Sequence, residues 1–288
     1  MELKTVDFSF VLLTPCFSGT ALGKNDDHAE MRIPPIRGHV RFWHRELFDV
    51  ADANRVWGST SGDEGQGSRV ALRFAGPVSE KHASPKPTML PHKPNPNQRG
   101  PRPALAVGES FTLRLQRLVG CAKDDEHDDW DHAQRALKLW LIVGSLGLRS
   151  NRAAGSVWSE DSWAPRDMAS LKEAFQSFGL KNWCIALVGF GKDKSPDELR
   201  ETASDTIQGN PHRRIFGGIN DREPSPTKFK VVRLGQTHCL LAAAPVQQIQ
   251  GHGGTRRTVL QEAEHLLWNV KPNPSRWQQL GAWNHLLP

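Results

Sequence analysis

Arginines set among glycines mark the stretch with the most evident chemistry. Residues 144–157 read GSLGLRSNRAAGSV, placing Gly144, Gly147 and Gly155, with Ser145, Ala153, Ala154 and Ser156, around Arg149, Ser150, Asn151 and Arg152. Small residues let one backbone approach another closely. Consecutive amides form an anion nest, and guanidiniums grip phosphate through paired donors. The combination suits a ribose-phosphate chain. The same composition also describes a helix C-terminus and a tight turn beside a solvated arginine pair.

A second cationic group lies on a helix. Residues 36–50 repeat at about 100° per residue, with Val40, Trp43 and Leu47 on one side and Arg37, Arg41, Arg45 and His44 on another. A basic face of this kind is either a solvated surface or a phosphate track, and here no interleaved acid compensates it. Trp43 and Trp57 sit beside or near cations and could stack on bases, although Trp43 belongs to the apolar stripe and so to the core. His28 and His44 lie near the same surface and make a histidine-dependent ribonuclease the alternative chemistry. Residues 124–131 (DDEHDDWD) crowd six acids into eight positions, so the rest of the chain is more basic than its total suggests. Asp128, Asp131 and His132 could approach one cation, but acids at a helix start are favoured by its dipole in any case. Enzyme signatures are missing. GSTSG at 58–62 has Thr60 at the centre of a would-be nucleophile elbow, Gly189-Phe190-Gly191 lacks a third glycine, and there is no P-loop lysine and no HExxH. No catalytic residue, metal ligand or cofactor is assigned.

These groups must be positioned by a β-α-β-β-α-β order. Alternation of Val6, Phe8 and Phe10 predicts a strand over 3–13, followed by the 36–50 helix, strands over 68–74 and 109–119, a buried helix over 131–147 and a strand over 154–158. This is the α+β, ferredoxin-like (RRM-like, split βαβ) arrangement that many RNA-binding domains use. Residues 77–103 interrupt it with eight prolines and the basic Lys81, Lys86, Lys93, Arg99 and Arg102, which reads as an irregular, mobile insertion. Beyond it, helices over 168–178, 196–207 and 258–270, a strand over 183–190 and a hairpin of 229–234 with 238–243 predict a second, irregular α+β domain. The expected division is 1–158 and 159–288.

Composition bounds the setting. At 288 residues the chain has room for two domains. No apolar run approaches the ~18 residues of a membrane span, and the first residues make a poor signal peptide. Cysteines 16, 121, 184 and 239 form no CxxC pair, which argues against a zinc knuckle or a disulfide framework. The expected location is the cytoplasm. A net charge of +6 is compatible with a polyanionic partner.

Taken in order, a set of motifs resembles a known family. Thr14-Pro15 precedes Phe17-Ser18-Gly19, then come Ala29-Glu30-Met31-Arg32, Ile36-Arg37-Gly38 and Arg41-Phe42-Trp43-x-Arg45. Trp57-Gly58-Ser59 follows, ahead of Gly67-Ser68-Arg69-Val70, and the last is Gly144-x-Leu146-Gly147-x-Arg149-x-x-Arg152-x-x-Gly155-Ser156. The set resembles the first-subunit family of the Cmr effector complex, the type III-B CRISPR machine, within the RAMP superfamily. The resemblance covers 13–157, thins beyond 160, and departs at Ala153, where the loop pattern usually has glycine. It implies tandem ferredoxin-like domains and a non-catalytic subunit that holds the crRNA 3′ region and helps engage target RNA beside other RAMP subunits, with no membrane partner. Under it, Arg37, Arg41, Arg45, Arg149 and Arg152 would bind phosphates, with Arg32 beside them. Ser18, Gly19, Gly147, Ser150 and Gly155 would shape the close backbone approach.

Overall fold

The computed structural model describes residues 4–19, 28–60, 65–78, 80–118, 128–207, 212–218, 223–270 and 276–287. Residues 24–27 of the loop before the first helix, Cys121, and residues 124–127 of the acidic cluster, with His127, lie outside the described residues.

Alternation builds the first sheet. Strand β1 (Thr5–Leu12) turns Phe8 and Phe10 into the core. Helices α1 (Ile33–Leu47) and α2 (Val50–Trp57) follow, then strands β2 (Val70–Phe74) and β3 (Ser110–Arg117), helix α3 (Asp129–Val143) and strand β4 (Val157–Ser159). The strands lie in the order β2-β3-β1-β4, all antiparallel. Phe10 stands opposite Phe111 with stacked rings 5.5 Å apart, and Trp140 of α3 meets Phe10 edge-on at 5.8 Å. The other face is polar: Arg114 donates two hydrogen bonds of 2.7 Å to Asp7, and the Ser9 and Thr112 hydroxyls lie 3.2 Å apart. Those positions carry none of the aromatic rings on which an RRM sheet stacks bases.

Helix boundaries differ from the sequence spacing for local reasons. Pro34 and Pro35 lie inside the first turn of α1, where a missing N–H leaves no bond unmade. The helix read as reaching residue 50 stops at Leu47, because the Asp49 side chain accepts from the Asp52 N–H at 2.7 Å and starts a new helix. Helix α3 begins at its Asp128 cap, which accepts from Asp131 N at 2.9 Å.

The second half adds α4 (Met168–Phe178), β5 (Trp183–Val188), α5 (Pro196–Ser204), the short α6 (Arg213–Phe216), β6 (Lys228–Leu234) and β7 (Thr237–Pro245). A small hairpin of β8 (Gln248–Gln250) and β9 (Arg256–Thr258), then α7 (Val259–His265), α8 (Arg276–Leu280) and β10 (Trp283–Leu287) complete it. The large sheet has the order β10-β5-β7-β6 and is again antiparallel. The sequence reading missed α2, α6, the β8–β9 hairpin, α8 and β10. The helix expected to run to 270 gives way after His265 to a π-helical turn, Leu266–Val270. Every residue of β5 is buried, because α1 covers one of its ends: the Trp43 and Trp183 rings lie 4.8 Å apart, and Trp183 Nε1 donates to Glu46 at 2.7 Å. Lys230 of β6 is fully buried and donates to the Leu141 carbonyl in the last turn of α3 at 2.6 Å, and burial pushes its pKa well down. One hydrophobic core runs through both halves.

The proline-rich insertion is held rather than loose. Its legs pair through Met89 N to Gly100 O (3.1 Å), Leu90 N to Arg99 O (2.9 Å) and Arg102 N to Pro87 O (3.0 Å), and α5 holds it through Arg200 Nη1 to Thr88 O (2.9 Å). The described cysteines, Cys16, Cys184 and Cys239, are free and buried. No helix among the described residues is long and apolar enough to cross a membrane.

Replacing Asp49 by alanine removes the cap that divides α1 from α2. The expected loss is about 1 kcal/mol, read as a lower urea midpoint with unchanged slope.

Candidate nucleic-acid interface

Helix α1 has three faces. Ile36, Val40 and Trp43 enter the core. Arg37, Arg41 and Arg45 lie on a second face, and Pro35, Gly38, His39 and Phe42 on a third, about 110° away from the arginines by helical spacing. The third face walls a groove. One cavity of about 390 Å³ lies between Gly38, His39 and Phe42 of α1, Ser145, Ser150 and Asn151 of the glycine-rich loop, and Lys228 at the start of β6. A second, of about 220 Å³, shares Pro35 and His39 with it and continues along Ser18, Gly19, Arg32, Gly147 and Leu148.

The groove is polar and cationic. Lys228 Nζ sits 5.2 Å from the Phe42 ring centre and 3.3 Å from Asn151 Oδ1. Burial lowers its pKa; Glu46 opposes the shift and Arg152 adds to it. Burial and the Lys228 charge likewise push His39 down, which favours its neutral form. Ser145 is 6% exposed, yet its hydroxyl has no hydrogen-bond partner among the described residues. Arg32 Nε lies 4.0 Å from a Glu30 carboxylate oxygen. Leu148 stands half exposed on the loop.

Several residues expected to touch a ligand serve the chain itself. Arg152 is 7% exposed: its guanidinium donates to the carbonyls of Asn151 (2.9 Å), Thr227 (3.3 Å) and Phe216 (2.6 Å) and to Ser225 Oγ (3.1 Å). Burial and neighbouring Arg149 hold its pKa down to about 9, so it remains a cation at neutral pH. In this structure it clamps the two halves together. Gly147 and Gly155 have φ of +77° and +60°, and a Cβ would stand 2.7 Å from Phe17 O and 2.1 Å from Leu146 O. Their smallness lets the loop cross its own chain. Ala153 adopts the same left-handed region (φ +61°). Arg37 and Arg41 turn toward α2, donating to Trp57 O and Asn54 Oδ1, while Arg45 is exposed and lines neither cavity. Arg149 leaves the groove rim for Ser204 Oγ at 3.3 Å. Of the expected residues, the groove therefore gathers Ser18, Gly19, Arg32, Gly147 and Ser150. Phe42, Ser145 and Asn151 stand within the motifs read from the sequence without a role of their own, and His39 and Lys228 were not singled out as site residues; Gly38 inside a helix was the available signal.

A separate cluster ties α1, α2 and α3 together. Asp52 accepts from His44 Nε2 (2.6 Å), from His132 Nδ1 (3.1 Å) and from Arg55, which also reaches Asp129 at 2.8 Å. His44, Asp52 and His132 are close enough together to suggest a cation site. The Trp57 indole argues otherwise: it donates to His44 Nδ1 at 2.9 Å, so the neutral ring must keep its proton on Nε2, where a metal would need a lone pair. Asp128, expected beside His132 in such a site, caps α3 instead. Trp43 and Trp57 are both buried, which removes them as base-stacking surfaces.

A sequence profile of the RAMP superfamily matches residues 9–158. No curated protein matches the chain. Among solved structures, the chain is similar to apo Cmr1 from Pyrococcus furiosus, with 18% identity and a TM-score of 0.58 over 86% of this chain and 89% of that one. It is also similar to a chain of the type III-B Cmr-beta complex bound to cognate target RNA, with 10% identity and a TM-score of 0.50 over 85% and 94%. A further structure of that complex, with target RNA and AMPPnP in the presence of ssDNA, gives 10% identity and 0.51 over 83% and 94%. At these identities the likeness is one of fold.

Arg152→Ala strands buried carbonyls and should lower stability by about 3 kcal/mol, seen as a large fall in the urea midpoint. A pH series tests the histidine–aspartate cluster. Burial lowers the His44 pKa; burial alone would raise that of Asp52, but hydrogen bonds from His44 and His132 outweigh it and hold the carboxyl well below its usual range. For both groups the unfolded chain binds more protons, so stability should fall on acidification, first below about pH 6.5 and again below about pH 4. Asp52→Asn should abolish the second fall at this site.

Proposed function

The chain belongs to the RAMP superfamily, and from that premise we propose that it is a non-catalytic RNA-binding subunit of a type III-B CRISPR effector ribonucleoprotein. In this reading it works in the cytoplasm, holds the crRNA 3′ region, and helps engage target RNA beside other RAMP subunits. The fold likeness to Cmr1 and to chains of the RNA-bound Cmr-beta complex supports it. So does the shared strand pattern. Each half runs β-α-β-β-α-β with the fourth strand beside the first and the third between first and second, which supports two tandem ferredoxin-like domains meeting near residue 158. Phosphate contacts would give salt-dependent affinity blind to sequence, and the guide would read sequence by pairing.

One observation carries the choice of groove. Gly38 lies inside α1, where glycine costs about 1 kcal/mol relative to alanine, yet a Cβ there would meet nothing within 4 Å. No neighbour among the described residues fills the gap, which supports its serving an external backbone that passes between Phe42 and the loop. Lys228 supplies its positive charge and Ser145 a buried hydroxyl for a phosphate or ribose oxygen.

The rival, a RAMP endoribonuclease using His28 or His44, finds no such support. His44 is sealed in the core with both ring nitrogens bonded, while His28 is exposed with His82 beside it, ring centres 5.5 Å apart. Labelled guide and target RNA should stay intact with or without EDTA; cleavage lost on replacing His28 would favour the rival.

Gly38→Leu is the sharper test, because two effects should move in opposite directions. Its thermal midpoint should rise with helix propensity, while affinity for single-stranded RNA drops about tenfold or more as the side chain fills the track. Lys228→Gln should weaken binding and flatten the salt dependence by about 0.7 in log–log slope. Unchanged RNA affinity in both variants would reject this groove.

A further inference from the structure

The proline-rich arm, residues 77–103, has no part in the groove, yet its chemistry is one-sided. It carries Lys81, Lys86, Lys93, Arg99 and Arg102 against a single acid, Glu80, and that carboxylate is engaged by the Met31 N–H at 2.6 Å. Its middle packs beside the groove wall. Met89 packs on a small cluster of Phe17, Ala104 and Ala154, and Phe17 also lines the second cavity. At its outer end His92 Nδ1 lies 2.9 Å from Ser204 Oγ, the same hydroxyl that Arg149 of the glycine-rich loop reaches at 3.3 Å. Arg149 on the groove rim and His92 on the arm thus share one atom. Lys93 is the next residue, Arg99 folds back to its carbonyl at 2.8 Å, and Arg102 follows exposed on the same leg. Acids on either side of Ser204 are engaged by other cations: Asp197 lies 3.1 Å from Arg200, and Glu201 and Asp205 lie 2.8 Å and 4.0 Å from Arg276.

From this continuity we infer that the arm is a second polyanion surface extending the groove: a single RNA strand passing Leu148 and Arg149 runs onto Lys93, Arg99 and Arg102. The inference rests on the groove's being an RNA track. Eight prolines and the paired legs hold the cations in place before binding, so little ordering opposes the contact. RNA suits the surface better than an acidic protein. The cations lie on the arm that shares Ser204 with the glycine-rich loop, and a row of positive charge suits a phosphate chain.

The test uses the full-length protein and two labelled single-stranded RNAs, one of about six nucleotides that fits the groove and one of about twenty that overruns it. The variant is K93Q/R99Q/R102Q, with thermal unfolding as a folding control. The long probe should bind about tenfold more weakly at low salt, with its log–log salt slope reduced by about 2, while the short probe is unaffected. Unchanged binding of the long probe would overturn the inference. So would an equal loss for both probes, since the arm would then merely brace the groove. Loss of a co-purifying protein subunit with RNA affinity intact would make the arm a protein-docking surface and overturn it as well. Lys228→Gln, run in parallel, separates the two readings: failure to weaken the short probe counts against the groove, whereas a long probe indifferent to the triple variant counts against the arm.

Discussion

A guanidinium buried among backbone carbonyls joins the two halves of this protein. Arg152 comes from the loop that closes the first sheet, and its acceptors at Phe216, Ser225 and Thr227 all belong to the second half. On either side of it the loop behaves as an extra strand: Phe229 N donates to Asn151 O at 3.2 Å, and Ala153 N donates to Phe229 O at 2.9 Å. Since β6 begins at this joint, the position of Lys228 over Phe42 is fixed by the bonds that hold Arg152. The groove is therefore a by-product of how the halves dock. Its floor is a loop that could not cross itself without Gly155, nor pass Phe17 without Gly147.

The division of α1 into three faces explains how one helix both builds the fold and opens a site. The apolar face is consumed by the core and by the Trp43–Trp183 contact. The arginine face meets α2, so part of its charge answers the carbonyl end of a neighbouring helix rather than a ligand. What remains is the face of Pro35, Gly38, His39 and Phe42, nearly devoid of charge. In the proposed reading this face would supply the space for a strand of RNA, while β6 and the loop would supply the donors.

Much of this was legible in the residues. Period-two alternation located β1 and β3, and the motifs over 13–157 pointed to the superfamily that the profile match shows. The stretch 144–157 drew notice for its arginines among small residues, and in the structure Arg152 of that stretch bonds to carbonyls of its own chain. An arginine among small residues looks the same on paper whether it faces phosphate or carbonyls, and only long-range packing against β6 decides between them. Lys228 was invisible as a site residue because it lies far along the chain from α1. The sequence also undervalued Gly38 beside Arg37 and Arg41, since charge draws the eye and an unfilled position does not. The missed elements, α2 and β10 among them, are short and depend on a cap or on an edge pairing, neither of which periodicity records.

The electrostatics of the joint give the groove its direction of preference. Arg149, Arg152 and Lys228 are all partly or wholly desolvated, and each of the latter two is pushed down by a neighbouring cation as well as by burial. Glu46 is the acid that opposes this at Lys228. Lys228 at the groove repels Arg152, and Arg152 repels Arg149, through a medium that screens them less than water does. The folded chain tolerates that repulsion because the carbonyls around Arg152 are arranged to accept it. An anion in the cleft would relieve it, restoring Lys228 toward its ordinary pKa and tightening the contact between β6 and the loop. In the proposed reading, binding a phosphate chain at Lys228 and holding the halves together would therefore be coupled in sign.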